Sequence, residues 1–206
     1  MNCNNTLWRR ASCVALLFLL TSCARLQPLP EGWQLDAREQ NLLAVRQWAL
    51  SGKLGVRSTT ESGSLYVHWL QKDVQYDIQL SGPLGQGGGS ISGSPDGVIL
   101  HADGREQRAA SAEELVHRAF GWQLPMQALT YWVRGLPAPE LTNREAIERD
   151  AQGLLISQAQ DGWVLEYSQY KLVQGHALPG RLKAESARLG LRLVLVVNDW
   201  KLGEKG

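Results

Sequence analysis

The chain has 206 residues, enough to build one sizeable hydrophobic core, and a single domain is the natural expectation. Its 21 lysine and arginine residues nearly balance 20 aspartate and glutamate residues, so the formal net charge is +1. The basic residues are dispersed, so the chain has no positive field to recruit nucleic acid, and no nucleic-acid partner is expected.

The N-terminus has the features of an export signal. A short positive segment, Trp8-Arg9-Arg10, precedes the apolar run Val14–Leu20, which is too short to span a bilayer stably. The run ends in Leu20-Thr21-Ser22-Cys23, which resembles the lipobox of bacterial lipoproteins. An ordinary secretory signal and a lone membrane helix are the alternatives. We therefore predict a signal peptide at residues 1–22 and a lipidated tether at residues 23–34.

The cysteines agree with this interpretation. Cys3, Cys13 and Cys23 are the three cysteines of the chain, so the exported domain would have no disulfide, no thiolate metal site and no cysteine nucleophile. In lipoproteins with such a signal the cysteine carries the lipid, and an aspartate after it retains the protein in the inner membrane. Ala24 occupies that place, which predicts the outer membrane. A tether of about ten residues reaches about 30 Å and would keep the domain close to its bilayer.

Residues 35–109 are predicted to form one helix followed by an antiparallel series of strands. The segment Leu35–Ala49 has helical spacing, with Leu42, Val45 and Trp48 or Ala49 on one stripe. Alternating apolar and polar residues then predict the strands Leu50–Arg57, Leu65–Leu70, Val74–Ser81, Ser90–Ser92, Val98–Leu100 and Arg105–Ala109.

The stretch Val74–Gly89 changes character halfway. Its first half alternates strictly, as in a strand with one face on a core. Its second half consists of turn and loop residues, including Pro83 and Gly85, around one aliphatic side chain, Leu84. Loops run over the surface, so this leucine is either folded back or presented to a partner. Composition alone favours the folded-back side chain.

The spacing of apolar residues changes from every second residue, typical of strands, to the 3.6-residue period of a helix after the first series of strands. Ser111-Ala112-Glu113-Glu114 is a capping box and Gly121 a stop signal, which predict one helix. Pro125 suits the first turn of a second helix. The apolar stripe of this second helix consists of Met126, Leu129, Trp132 and Val133.

Strands resume in the last quarter of the chain. They are predicted at Gly153–Ser157, Trp163–Tyr167, Arg181–Ala184 and Leu189–Trp200. The charged segment 141–151 fits neither the helical nor the strand pattern and stays unassigned. In total the sequence predicts eight to eleven strands and three helices, a mainly β (α+β) fold. So many strands in series curl into a barrel or part of one, with the helices across its concave side. The interior would be a packed core or a lipid-sized cavity.

The sequence offers no catalytic or metal-binding motif. The glycine loop lacks the Lys-Ser/Thr ending of a P-loop, and no Gly-x-Ser-x-Gly elbow occurs. The four histidines are dispersed, and Glu113-Glu114 is better explained by helix capping than by catalysis. We expect no enzyme activity, no cofactor and no metal. An envelope hydrolase would need a cleft with ionisable groups of shifted pKa.

Tryptophan is the abundant candidate for a binding role. Seven of the eight tryptophans lie from Trp33 onward. Large aromatic residues of this kind either fill a core or line a cavity for acyl chains, and composition does not separate the two.

Several short motifs occur in a specific order along most of the chain. They are Trp69-Leu70-Gln71, Tyr76-x-Ile78-x-Leu80, Gly82-Pro83-Leu84-Gly85, Leu124-Pro125, the run Tyr131–Pro137, Gly162-Trp163 with Tyr167, and Asn198-Asp199-Trp200. Together with the lipobox they resemble the LolB family of outer-membrane lipoprotein receptors, from about Trp48 to Trp200. The resemblance implies that residues 35–206 form one incomplete antiparallel β-barrel of roughly eleven strands, covered by about three helices that enclose a hydrophobic cavity.

The resemblance also implies a function. A protein of this family receives acylated lipoproteins from the periplasmic carrier LolA and inserts them into the outer membrane without a nucleotide. It would be a monomer, anchored through the lipid on Cys23 at the periplasmic face. The loop Pro83-Leu84-Gly85 would project, and Leu84 would act in membrane insertion. A structural or scaffold lipoprotein of the outer membrane is the alternative. The candidate cavity-lining residues are Trp69, Tyr76, Ile78, Leu80, Met126, Leu129, Trp132 and Trp163.

Overall fold

A long antiparallel sheet organises the described part of the chain. The computed structural model describes residues 35–82, 88–139, 141 and 144–203, which contain thirteen strands and three α-helices. The helices are α1 (Leu35–Leu43), α2 (Ala112–Phe120) and α3 (Met126–Trp132). The strands are β1 (Gln47–Arg57), β2 (Ser62–Lys72), β3 (Gln75–Ser81), β4 (Gly88–Ser94), β5 (Gly97–Ala102), β6 (Arg105–Ala109), β7 (Arg144–Arg149), β8 (Leu155–Gln160), β9 (Trp163–Ser168), β10 (Lys171–Val173), β11 (His176–Leu178), β12 (Arg181–Ser186) and β13 (Leu191–Leu202).

Eleven of these strands form one sheet. Their order is β6-β5-β4-β3-β2-β1-β13-β12-β9-β8-β7, and every neighbouring pair is antiparallel. The first and last strands in this order, β6 and β7, are the sheet's two edges in the described part of the chain, so the sheet does not close. The strands β10 and β11 form a separate hairpin. The structure thus confirms the predicted incomplete antiparallel barrel with about three helices.

The centre of the sheet is the pairing of β1 with β2 and with β13. Strand β1 runs antiparallel to β2 from Gln47 opposite Lys72 to Arg57 opposite Ser62. Its register against β13 shifts between Ser51 and Gly52. Such a bulge bends and twists a strand, which helps the sheet to curve.

Burial follows the strand period, so the sheet has an inner and an outer face. On β2, Val67 and Trp69 are buried, whereas Tyr66 and Leu70 on the opposite face are exposed. The C-terminal strand β13 shows the same alternation from Leu191 to Val197. The inner face carries the hydrophobic core, which α2, α3 and the segment after α3 cover.

The helix boundaries at α2 follow the predicted caps. Ser111 Oγ accepts a hydrogen bond from the backbone N–H of Glu114 at 3.1 Å, and Gly121 ends the helix with φ 71°. The Glu114 carboxylate pairs with Arg118 one turn later. Glu113 Oε1 accepts a hydrogen bond from the backbone N–H of Gln127 at 3.1 Å, which joins α2 to the first turn of α3. Both carboxylates therefore have structural partners.

Two predicted boundaries are wrong near the N-terminal end of the sheet. The first helix ends at Leu43 rather than Ala49, because Trp48 and Ala49 pair with β2 and β13 as part of β1. Strand pairing between distant segments overrides the helical spacing there. Val74 lies in the turn before β3 and is 68% exposed, so it does not belong to the inward-facing set.

Three further elements differ from the prediction. The glycines Gly88 and Gly89 belong to β4 rather than to the loop before it. The unassigned charged segment contains the edge strand β7. Residues 171–178 form a hairpin that no strand prediction covered, with Gln174 and Gly175 at positive φ in its turn.

Candidate functional site

A partly open apolar cavity of about 120 Å³ lies between the inner face of the sheet and the two helices α2 and α3. Every residue that lines it is apolar. Strands β1–β4, β12 and β13 form one wall, and α2, α3 and the segment between them form the other. The lining consists of Leu50, Leu54, Val56, Leu65, Val67, Trp69, Ile78, Leu80, Ile91, Val116, Trp122, Leu124, Met126, Leu129, Val133, Leu182, Ala184, Leu193 and Leu195.

The local sequence explains why these residues meet. On each strand alternate residues share a face, so Leu65, Val67 and Trp69 point inward together. On α3 and just after it, the spacing of Met126, Leu129 and Val133 places them on one side. Two amphipathic surfaces of different period thus face each other, and the cavity is the space that their side chains leave unfilled.

The lining is not equally buried. The strand residues Ile78 and Ile91 are almost fully buried, whereas Leu54, Leu65 and Leu80 are half-buried. We call these three half-buried leucines the leucine end of the cavity. They belong to neighbouring strands, since Leu54 pairs with Leu65 and the next inward residue, Val67, pairs with Leu80. Strand β3 ends just after Leu80, so this end of the cavity adjoins the start of the β3–β4 connection.

Five of the eight candidate lining residues line this cavity. They are Trp69, Ile78, Leu80, Met126 and Leu129. The other three, Tyr76, Trp132 and Trp163, are not among the residues that line it.

Tyr76 takes a different place on the inner face. Its ring lies directly over Gly93 of β4, where an added Cβ atom would come within 2.1 Å of the ring. Burial, and to a lesser extent the negative charge of Glu113, raise the pKa of Tyr76 to about 12. The phenol is therefore neutral and a hydrogen-bond donor at physiological pH.

Trp132 and Trp163 belong to a second buried cluster, around Gln160. Their ring centroids lie 5.9 Å apart. Gln160 Oε1 accepts hydrogen bonds from Trp132 Nε1 at 2.8 Å and from the N–H of Ala138 at 3.0 Å. Its Nε2 donates to the carbonyls of Ala138 and Leu141. This amide therefore ties α3 and the segment after it to β8, and both tryptophans are part of that structural contact.

A buried arginine that the sequence did not single out lies just after the C-terminal end of α3 and joins it to α1. Arg134 donates from Nε to the carbonyl of Thr130 at 2.9 Å, and from Nη1 to the carbonyls of Leu42 and Val45 at 3.2 Å each. Its guanidinium lies 5.7 Å from the ring centroid of Trp48. Burial lowers the pKa of Arg134 to about 10. Its position within the motif run Tyr131–Pro137 is the signal that could have found it.

The remaining predicted site residues lie outside the described part of the chain. These are the lipidation site Cys23 and the loop residues Pro83, Leu84 and Gly85. Their roles stay predictions.

The described residues also bear on two other kinds of site. No group of three or more His, Cys, Asp or Glu side chains is arranged to hold a metal ion in residues 35–82, 88–139, 141 and 144–203. No helix in the same ranges has the length and hydropathy needed to cross a bilayer.

The chain is similar to proteins of one family over most of its length. A family model described as outer membrane lipoprotein LolB matches residues 46–200. An outer-membrane lipoprotein LolB of Cellvibrio japonicus is 44% identical over 200 residues, which cover 92% of this chain and 97% of that protein. The corresponding protein of Stutzerimonas stutzeri is 40% identical over 205 residues, covering 95% and 96%.

Solved structures show the same fold at low sequence identity. A LolA superfamily protein from Nitrosomonas europaea superposes with a TM-score of 0.54 at 12% identity, covering 82% of this chain and 92% of that one. A putative outer membrane lipoprotein-sorting protein domain from Vibrio parahaemolyticus gives a TM-score of 0.55 at 9% identity, covering 82% and 91%. At these identities the likeness concerns the fold alone.

Proposed function

The chain belongs to the LolB family of outer-membrane lipoproteins, and we propose that it accepts acylated lipoproteins from the periplasmic carrier LolA in its apolar cavity and inserts them into the outer membrane. The observation that carries this proposal is the cavity itself, whose lining is entirely apolar and comes from both layers of the fold. A packed structural domain has no need of such a space.

The free energy of lipid exposure supports a cavity of this kind. Each methylene exposed to water costs about 0.8 kcal/mol, so a cargo with some forty methylenes faces about 30 kcal/mol in the aqueous periplasm. A protein that hands such a cargo across water must cover it with apolar surface. The transfer uses no nucleotide in this proposal and runs downhill from carrier to receptor to membrane.

In this proposal the cavity expands on loading. Pockets for small ligands occupy about 300–1,000 Å³, and 120 Å³ is well below that range. Side-chain hydrogen bonds hold the C-terminal end of α3 to Gln160 on β8 and Arg118 of α2 to β6, whereas the first turn of α3 is joined only to α2 among the side-chain bonds described, through a bond that Glu113 accepts. Movement of this first turn away from the sheet would enlarge the cavity without disturbing any strand pairing.

The membrane contacts belong to two predicted elements. Acylation of Cys23 would anchor the protein at the periplasmic face of the outer membrane, and Leu84 would touch the bilayer during insertion. Full burial of one leucine contributes only about 1.5–3 kcal/mol, so Leu84 cannot serve as the anchor. It acts as a local wedge or contact point, while the lipid on Cys23 does the anchoring.

Reconstitution of the whole protein in liposomes tests the transfer. A purified lipoprotein bound to LolA is added, and the cargo found in the liposome fraction is measured against empty liposomes. We expect delivery to depend on the protein. If no cargo moves to the protein or the membrane, the alternative of a scaffold lipoprotein that needs no cavity is favoured.

The substitution Leu84→Glu tests the insertion loop. We expect it to leave stability and uptake of cargo from LolA nearly unchanged and to block delivery to liposomes, because a carboxylate resists burial among acyl chains. Leu172→Glu is the matched control, since Leu172 is 72% exposed on the β10–β11 hairpin and does not line the cavity. Equal delivery by the Leu84→Glu variant and the control would exclude the loop from insertion.

A further inference from the structure

A groove of about 470 Å³ adjoins the cavity on the inner side of the sheet. Three residues, Trp69, Ile78 and Met126, line both spaces. Trp69 and Ile78 come from the sheet and Met126 from the first position of α3, so Met126 is the one residue of the helical layer that the two linings share. Methionine is unbranched and adopts many rotamers, so its movement can connect the two spaces.

The groove differs from the cavity in chemistry. The cavity lining is apolar throughout, whereas the groove also presents the phenol of Tyr76 and the carboxylate of Glu113. Acyl chains need only apolar surface. A polypeptide carries an N–H donor and a C=O acceptor on nearly every residue and needs polar partners along its path. The groove therefore suits a peptide, and its volume lies within the range of ligand-binding sites.

We propose that this groove holds the first residues of the cargo polypeptide, while the acyl chains on its N-terminal cysteine occupy the cavity. The inference rests on the proposed function and adds the place of the peptide to it. The acylated cysteine would lie beside Met126, where the two spaces meet. The leucine end of the cavity, formed by Leu54, Leu65 and Leu80, is then left for the acyl chains, on the side of the C-terminal end of β3.

The charges of the groove specify which peptides it favours. Two carboxylates, those of Asp73 and Glu113, lie among its lining residues, and none of the described lining residues is a lysine, arginine or histidine. Asp73 is paired with Arg46 at 3.4 Å. Glu113 has no ion-pair partner in the described part of the chain and accepts one backbone hydrogen bond from Gln127. A lysine soon after the acylated cysteine therefore meets an unneutralised carboxylate, whereas a glutamate meets a like charge.

Disulfide crosslinking locates the peptide. The described part of the chain contains no cysteine, so single cysteines can be placed in the full-length protein at Gln127 in the groove, Leu65 at the leucine end and His68 on the outer face. The cargo is a purified lipoprotein with a cysteine two residues after the acylated one, delivered by LolA. We expect the Gln127→Cys variant to give the dominant crosslink. A dominant crosslink at Leu65→Cys, or equal yields at all three positions, would overturn the proposal.

Uptake of cargo measured in the same samples distinguishes failure of the groove proposal from failure of the proposed function. Cargo that binds every variant without a preferential crosslink at position 127 contradicts the groove and leaves the proposed function in place. Cargo that binds none of the variants, nor the unsubstituted protein, contradicts the proposed function and the groove with it.

A charge test provides a second readout. We expect cargo with lysine after the acylated cysteine to bind about threefold more tightly than the same cargo with glutamate, as for a partly exposed ion pair. The preference should fall in about 1 M salt, where the screening length is about 3 Å. Glu113→Gln keeps the acceptor for the Gln127 N–H and removes the charge, so the preference should disappear while the fold stays intact. An unchanged preference in Glu113→Gln would rule out Glu113 as its source.

Discussion

At the scale of single residues, Arg134 shows how one buried cation joins distant segments. Its three hydrogen bonds reach the carbonyls of Thr130 in α3, Leu42 in α1 and Val45 in the connection to β1. The last carbonyls of a helix have no partner within the helix. The carbonyl of Leu42 in α1 accepts from the N–H of Val45, and Arg134 adds a second hydrogen bond there, so its side chain fixes the ends of α1 and α3 against each other.

The substitution Arg134→Met is expected to destabilise the fold by about 3–5 kcal/mol, because it removes hydrogen bonds to buried carbonyls. Methionine keeps most of the side-chain volume, so the loss reports the hydrogen bonds rather than a cavity. Urea denaturation measures the effect. Arg192→Met is the control, since Arg192 forms an exposed ion pair with Glu185 that water and salt screen, so it should contribute far less to stability. Equal losses in the two variants would contradict this role of Arg134.

The same comparison has an expected pH dependence. Burial lowers the pKa of Arg134 to about 10 in the folded state, below its value in the unfolded chain. The unfolded state would therefore hold the proton more tightly, and titration of this group would raise stability only as the pH rises through about 10. At pH 6 to 8 the group is charged in both states, so the stability difference between the two proteins should be constant there.

At the scale of elements, strand β1 contains two glycines in different surroundings. A Cβ atom at Gly52 would lie 2.2 Å from the carbonyl oxygen of Val196, whereas at Gly55 the nearest atom is 3.8 Å away. The close approach of β13 to β1 at the bulge therefore requires a glycine at position 52. Position 55 has no such requirement.

We expect Gly52→Ala to cost about 2 kcal/mol or more, because the clash is with backbone that a neighbouring strand holds. Gly55→Ala should be neutral or stabilise by about 0.5–1 kcal/mol, because glycine weakens a strand interior. Thermal unfolding of the two variants provides the test. A larger loss at position 55 would show that the bulge is not the tight point of the sheet.

The sequence predicted best those strands in which apolar and polar residues alternate and one face lies on the core. Alternation identified β2, β9 and β13, because each has one face on the core. Strand β7 could not be found this way, because it is a charged edge strand whose register shifts between Glu145 and Glu148. The first helix was extended too far, because Trp48 fits a helical stripe as well as its actual pairing with Leu202 in β13.

At the scale of the whole molecule, periodicity identified which residues face inward but not what they face. Leu80 and Met126 were expected at the cavity and line it. Trp132 and Trp163 have the same kind of spacing, yet they lie against each other beside Gln160. The partner of a buried stripe depends on how the two layers are stacked, and no local pattern records that.

The cavity predicts a conflict between stability and function. Ala184→Leu adds about three methylene equivalents to the cavity wall and should stabilise the fold by about 1–2 kcal/mol, while cargo uptake falls because the space is filled. Ala159→Leu is the control, since Ala159 is half-buried on β8 and does not line the cavity. Urea denaturation and co-purification of cargo give the two readouts. A variant that is stabilised and binds cargo normally would show that the cavity is not the lipid site.

In the part of the chain that the structure describes, β6 and β7 leave the eleven-stranded sheet with two unpaired edges, and this has a mechanical consequence. A closed barrel has a fixed circumference, because its hydrogen-bonded strands lie about 4.8 Å apart. It cannot widen without breaking hydrogen bonds. A sheet with two such edges can bend elastically. Its curvature can relax with every strand pairing intact, against only the side-chain contacts of the helical layer. Empty and loaded protein should then have the same secondary structure and differ in the radius of the sheet.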